Sequence, residues 1–157
     1  MRGLASILSI CFYLIFAPIA GQEKPENNPW ETLLNDVKVK YVYAVNYDTY
    51  LPKLKFGEEL KKLDGKEITI KGFFLPVDVT GNAFVISYNP MDMCFFCDGS
   101  GIETIVEISG TEEELRRFKR LKTDNYIIVK GSLELNANNY EHLPYILNNS
   151  ELIEIIK

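Results

Sequence analysis

KEITIKGFFLPVDVTGNAFVISY, residues 66–88, is the stretch on which the fold reading turns. Ile68, Ile70, Gly72 and Phe74 alternate with Thr69, Lys71 and Phe73, and a period of two marks a half-buried strand. Pro76 stops the run, because a proline has no N–H to give to a ladder. Residues 77–82, with Gly81-Asn82, read as a hairpin connection. Residues 83–88 return as the second strand, which Asn89-Pro90 breaks.

Downstream, residues 102–108 alternate again, with Ile102, Thr104, Val106 and Ile108 on one face, and read as a third strand. Thr111 followed by Glu114 makes a capping box, so a helix is expected to start there. Glu112 to Glu114 suit the positive end of its dipole, and Arg116, Arg117, Lys119, Arg120 and Lys122 suit the other. Leu115, Phe118 and Leu121 are its expected buried stripe, and the basic run is then a solvated helix face. Residues 126–135 read as a fourth strand, 136–139 as a turn, and 140–147 with 151–156 as one or two more.

Three strands, a helix and two strands is the order of a small OB-like five-stranded barrel, in which one helix lies between strands 3 and 4. An open α+β sheet with one helix is the alternative. The class is mainly β in either case.

Upstream, Val37, Val39, Tyr41 and Tyr43 alternate with Lys38 and Lys40, which predicts a half-buried strand. Tyr47, Tyr50 and Phe56 are expected to lie in an aromatic-rich connection. It leads to a helical turn or two over residues 57–63, ended by Asp64-Gly65. Residues 30–34 are expected to form a short helix that packs the single Trp30.

The first 21 residues read as a cleavable signal peptide. Arg2 is the basic start, residues 4–16 are apolar, and Pro18-Ile19-Ala20-Gly21 offers a small-residue cut site. The apolar run falls short of the ~20 residues that a ~30 Å hydrocarbon core needs, so no stable membrane insertion is expected after cleavage. Residues 22–36 are then a flexible leader with the short helix, and 37–157 a single β-rich domain. Cleavage after Gly21 leaves roughly 136 of the 157 residues, enough to bury a core without staples. Only Arg2 leaves among the charges, so the net charge moves from −5 to −6. That balance argues against nucleic acid, which needs a cationic track, and gives no polybasic run for anionic lipid. An exported chain, periplasmic or secreted, is the expectation, with an envelope protein as the kind of partner it implies.

Cys11 departs with the leader, and Cys94 and Cys97 remain on the loop Met93-Cys94-Phe95-Phe96-Cys97-Asp98-Gly99. A CxxC on a tight turn brings two sulfurs to one point, which is half of a tetrahedral zinc site. His142 is the one histidine in the chain. Cys94, Cys97 and His142 with Asp98 are therefore the candidate metal ligands, and Asp92 and Glu103 are other carboxylates near the loop. Such a site needs residues 140–147 to pass beside the loop. A structural disulfide between Cys94 and Cys97 suits an oxidising compartment. A redox dithiol is the third reading. It lacks the helix N-terminus that would lower a thiol pKa, since Asp-Gly-Ser-Gly and a strand follow. No catalytic residue is assigned, because one histidine without a nucleophile motif or HExxH supports no hydrolase. Asn148-Asn149-Ser150 matches a glycosylation sequon.

Leu63-Asp64-Gly65-Lys66, the strand ending Gly72-Phe73-Phe74-Leu75-Pro76, and Cys94-Phe95-Phe96-Cys97-Asp98 followed by Gly101 and Glu103 resemble an uncharacterised family of exported bacterial proteins catalogued as a domain of unknown function. The likeness runs over residues 57–147. It implies a bacterial periplasmic or secreted protein, and some relatives are associated with metal, notably zinc, transport systems. Asp98 departs from it, standing where Gly is expected. Three functions follow from these readings. The first is a non-catalytic extracytoplasmic protein that binds or handles zinc through the CxxC loop. The second is a small secreted binding module for a peptide, glycan or partner protein, closed by a disulfide. The third is a thiol–disulfide redox protein.

Overall fold

The structure, a computed structural model, describes residues 28–78, 83–94 and 100–156. The expected signal peptide, residues 1–21, and residues 22–27 of the expected leader therefore lie outside the described residues. Helix α1 (Pro29–Asn35) is capped by Asn28, whose side chain accepts from the Trp30 N–H, and Pro29 sits in its first turn, where no intrahelical N–H is missed. Strands β1 (Val37–Ala44) and β2 (Thr49–Phe56) form a two-stranded antiparallel hairpin, followed by helix α2 (Glu58–Leu63). Strands β3 (Glu67–Pro76), β4 (Phe84–Ser87) and β5 (Ile105–Ile108) come next, then helix α3 (Glu112–Phe118), β6 (Tyr126–Leu135) and β7 (Tyr145–Ile156).

The last five strands close in the order β3-β4-β5-β7-β6. β5 and β7 pair parallel, with Glu107 opposite Ile146, and the other pairs are antiparallel. With one helix between the third and fourth barrel strands, this is the OB-like barrel expected from the sequence, and not the open sheet. Closure removes the exposed edges that an open sheet would present.

Three local expectations are corrected. Residues 49–56 are not a connection but strand β2, because all eight residues of β1 find partners there, from Val37 opposite Phe56 to Ala44 opposite Thr49. Residues 102–104 form a 3-10 turn, stitched by the Thr104 N–H and Oγ1 donating to the Gly101 carbonyl, so β5 begins at Ile105. The last strand, β7, does not start at residue 140 but at Tyr145, and it runs on to Ile156 as a single strand whose register against β6 shifts twice, between Ile128 and Val129 and between Lys130 and Ser132. Such irregularities bend a strand around a barrel corner without ending it.

The barrel interior is filled along β3 and β6 by residues that alternate with mostly half-buried ones, among them Ile70, Phe74, Val129 and Leu133, and by Ile86 of β4, a strand buried along its whole length. One end is closed by α3. Phe118 is fully buried and its ring stacks on Phe74 and Phe84, each 6.4 Å away between centroids. Thr111 accepts from the Glu114 N–H, as its capping role requires, and Arg117 donates to the Leu152 carbonyl at 2.9 Å, pinning the helix to β7. Leu115 and Leu121 pack partly buried beside it. Helix α1 is held to the barrel by two long-range bonds. Trp30 Nε1 donates to the Lys71 carbonyl at 2.6 Å, and the buried Tyr145 hydroxyl donates to the Leu33 carbonyl at 2.8 Å. Asp36, just past α1, accepts from the Leu60 N–H and caps α2 from outside that helix.

A second apolar cluster lies between hairpin and barrel. It joins Leu54 of β2, Leu75 of β3, Val85 of β4, Cys94, Ile102 and Ile105. This cluster seats the hairpin on the barrel wall and brings the cysteine loop into the same packing.

Candidate functional site

The loop that follows β4 is held by its own polar groups and by Asp124 from the segment before β6. The Met91 N–H donates to Asp124 at 2.8 Å, Asn89 Nδ2 donates to Ser100 Oγ at 3.0 Å, and Ser100 Oγ donates to the Met93 carbonyl. These bonds draw the two sides of the loop together where residues 95–99 join it. Cys94 is fully buried against Leu54, Val85 and Ile105. Cys97 and Asp98, two of the sequence-derived candidates, lie outside the described residues.

His142 lies half exposed, and its Nδ1 is 2.8 Å from Glu107 Oε1 on β5. The other oxygen of the same carboxylate accepts from the Leu143 N–H at 3.0 Å. Glu107 thus fastens the β6–β7 loop to β5 by two bonds. Its hydrogen bond, and then its charge, hold the His142 pKa above the ordinary value. In the neutral ring, an N–H on Nδ1 leaves Nε2 as the lone-pair nitrogen. Glu107 was not among the carboxylates singled out from the sequence. The signal for it lay 35 positions away from His142, in a strand whose pairing alone brings the two together.

The sequence reading asked for residues 140–147 beside the cysteine loop, and within that segment one residue reaches the packing of Cys94. Leu143 packs partly buried against the cluster that contains Cys94. Among the described residues, however, no group of three or more His, Cys, Asp or Glu side chains converges on one point. Cys94 and His142 do not make a metal site by themselves.

What the fold does build is a groove of about 410 Å³. One wall comes from β2, through Leu51, Pro52 and Leu54. The floor is Phe84, Val85 and Ile102, and the far wall is the β6–β7 loop with Tyr140, His142 and Leu143. Val77 and Ala83 bring in the two ends of the β3–β4 connection. In a barrel of this topology, the face of the second and third strands and the loops joining strands 1–2 and 4–5 are where ligands are bound. Here β4 and β5 are those strands, and residues 77–83 and 136–144 are those loops. The hairpin adds a wall that the barrel alone does not have, and Tyr47 at its tip meets Tyr140 edge-on, 6.3 Å between ring centroids.

Two asparagine side chains brace the loop from within. Asn136 Nδ2 donates to the carbonyls of Asn139, His142 and Leu143, and its Oδ1 accepts from the N–H groups of Asn138 and Asn139. Asn139 Oδ1 accepts from the Glu141 N–H. These bonds give the loop a fixed shape and leave the groove lined mainly by apolar side chains.

The sequence reading missed the hairpin as a unit. On its outer face Lys38 stands directly opposite Lys55, and Lys40 opposite Lys53. All four are exposed.

Fold and groove together define a small β-barrel protein of OB topology with a β-hairpin packed on the barrel wall. No family model matches the chain, and no curated protein does. A solved structure of a DUF3299 family protein from Pseudomonas aeruginosa PAO1 is similar to it over 62% of this chain and 67% of that one, at 17% identity and a TM-score of 0.40.

Proposed function

We propose that this chain is a non-catalytic extracytoplasmic binding module whose groove takes an apolar side chain from an extended peptide or from a segment of an envelope protein. The observation that carries this reading is the convergence of β4, β5 and both neighbouring loops on one apolar groove, walled by β2. Apolar side chains from β2, β4 and both loops make up most of that lining. Apolar burial is then the chief source of affinity, and one leucine-sized side chain contributes about 1.5–3 kcal/mol.

The test is a titration of isotope-labelled protein with two short soluble peptides, one carrying a single central leucine and one a serine in its place. The leucine peptide is expected to shift the amide resonances of Leu51, Val77 and Tyr140 and the serine peptide to leave them in place. Leu51→Glu with Val77→Glu, two partly exposed positions, should abolish the shifts while the melting temperature holds. Shifts that are absent with both peptides, or that survive the double substitution, overturn the reading.

A second reading has one observation in its favour. Zinc held by Cys94, Cys97, His142 and Asp98 requires the His142 segment beside the cysteine loop, and Leu143 packs on the Cys94 cluster. A carboxylate on the far ring nitrogen is the usual support of a metal-bound histidine, and Glu107 stands in that relation to His142. Elemental analysis of protein recovered from its own compartment without added metal or chelator decides it. About one zinc per chain supports the site and none removes it.

A further inference from the structure

We infer that the distal half of the β1–β2 hairpin is a peripheral docking arm for a bilayer surface rich in anionic phospholipid.

The four lysines come first. Lys38 faces Lys55 and Lys40 faces Lys53 across the ladder, where like charges directly opposite each other oppose folding. None of the four makes an ion pair with another described residue. Other surface lysines of this chain do: Lys61 pairs with Glu58, Lys62 with Glu59 and Lys130 with Glu67. In a chain of net charge −5 with 22 acidic residues, an uncompensated cationic face is the part suited to an external anion.

The burial gradient along the hairpin comes second. At its base Leu54 is buried and Val37, Val39 and Phe56 pack partly buried against the barrel. Further out the side chains are mostly exposed, although Leu51 and Pro52 line the groove and Tyr47 meets Tyr140 of the β6–β7 loop, and Asp48 at the tip accepts from the Tyr43 hydroxyl. Tyr41, Tyr43 and Tyr50 are exposed on the face that is buried nearer the base, and Val42 is exposed on the lysine face. Val45, in the 3-10 turn at the tip, is 80% exposed, and Tyr47 beside it 65%. A cluster of apolar and aromatic side chains this open marks an interaction surface.

Placement of the two residue types decides the partner. A single nucleic acid strand needs lysines and aromatic rings on one face, so that phosphates and stacked bases are held together. Here Tyr41, Tyr43 and Tyr50 lie on the face opposite the lysines, as the alternation of β1 and β2 requires. A bilayer entered by the tip meets both faces at once. Tyrosines on one side then sit at the headgroup level, lysines on the other reach lipid phosphates, and Val45 leads toward the acyl boundary. Ala44 is four residues beyond Lys40, and at ~3.4 Å per residue the tip stands roughly 14 Å past the nearer lysine pair. A tilted hairpin of that reach places the tip at the depth of an interfacial segment, about 5–10 Å below the headgroups. The contact is peripheral, and no helix among the described residues is long and apolar enough to cross a membrane.

The test is co-sedimentation of the protein recovered after export with two kinds of vesicle, one of phosphatidylethanolamine with a third phosphatidylglycerol and one of phosphatidylcholine alone. Wild type and variants are compared with the same N-terminus, fixed by mass spectrometry, so that any contribution of the leader cancels. Binding to the phosphatidylglycerol vesicles alone, reversed by salt, is expected. Lys40→Gln with Lys53→Gln should weaken it roughly thirtyfold. Val45→Asp with Tyr47→Ser should also weaken it although every lysine is kept. Thermal melts confirm that each variant is folded. Equal binding to both vesicles, binding unchanged by either double variant, or no binding at all overturns the inference. So does a single-stranded oligonucleotide that displaces the vesicles with the same lysine dependence, which would make this a nucleic acid face.

Discussion

Glu107 does two jobs through two oxygens. One accepts from the Leu143 N–H and the other meets His142 Nδ1, so the loop that forms the far wall of the groove hangs from a single carboxylate. Because that carboxylate raises the His142 pKa, the pair contributes stability that is fully present below the unfolded value of about 6.5 and is lost as pH rises through the higher folded value. The half-exposed ring makes the effect on global stability small, so the ring itself is the better reporter. As this is the only histidine, its C2–H proton resonance stands alone. In Glu107→Gln the titration midpoint is expected to fall back toward 6.5, and an unmoved midpoint would break the assignment of Glu107 as the cause. Tyr145 is the residue-scale counterpart inside the core. Burial pushes its hydroxyl pKa up, and the hydroxyl satisfies the Leu33 carbonyl. Tyr145→Phe leaves that carbonyl without its donor and should lower the unfolding free energy by about 1–3 kcal/mol, read by urea titration. Gly72 answers to sterics instead. A Cβ there would stand 2.5 Å from the Ser87 carbonyl oxygen, backbone that cannot swing aside, so Gly72→Ala should cost about 1–3 kcal/mol by the same measurement.

Elements differ in how far local sequence determines them. Strand β6 and the Thr111 cap were legible to the residue, since alternation and a capping box are written in adjacent positions. The barrel order was legible as well, because each strand lies between its own turn signals. Strand β2 was not. Pro52 and the two aromatics Tyr47 and Tyr50 suggest a loop, and only pairing with β1 makes the segment extended. The same cause hid the lysine face, for no local pattern shows that Lys38 will stand opposite Lys55 or Lys40 opposite Lys53. Pairing also hid Glu107, whose partnership with His142 spans the barrel strands β5 to β7. The exposed cross-strand lysine pairs carry an element-scale consequence. Exchanging Lys40 for Thr removes one repulsive pair from a solvent-facing site and suits a strand, so it should raise the melting temperature slightly, by a few tenths of a kcal/mol in stability. A fall would mean that Lys40 has a stabilising partner within the chain, and the uncompensated face on which the docking arm rests would be gone.

At the scale of the whole molecule, one apolar cluster ties three parts together. Leu54 belongs to the hairpin, Val85 and Ile105 to the barrel, and Cys94 to the cysteine loop, with Leu143 of the β6–β7 loop packed against them. The chemical state of Cys94 is therefore coupled to the groove wall and to the seat of the hairpin. Each reading of the CxxC motif then has its own thermal signature. If zinc joins Cys94 and Cys97, its binding free energy is folding free energy, and a chelator should lower the melting temperature while a mild non-chelating reductant leaves it alone. If a disulfide joins them, the reductant should lower it and the chelator should not. The loop such a bond closes is very short, so its loss should be felt less through chain entropy than through looser packing around Cys94. A thermal melt followed by the near-ultraviolet signal of Tyr and Trp, repeated with each reagent, separates the two. If both reagents leave the curve unchanged, Cys94 acts as a small apolar core residue, and Cys94→Ala should be tolerated better than Cys94→Ser, which puts a hydroxyl into a fully buried site. In every case the groove and the hairpin should respond in proportion to the melt. Peptide shifts and vesicle binding measured after each treatment would show whether the cysteine loop controls the ligand face or only stands behind it.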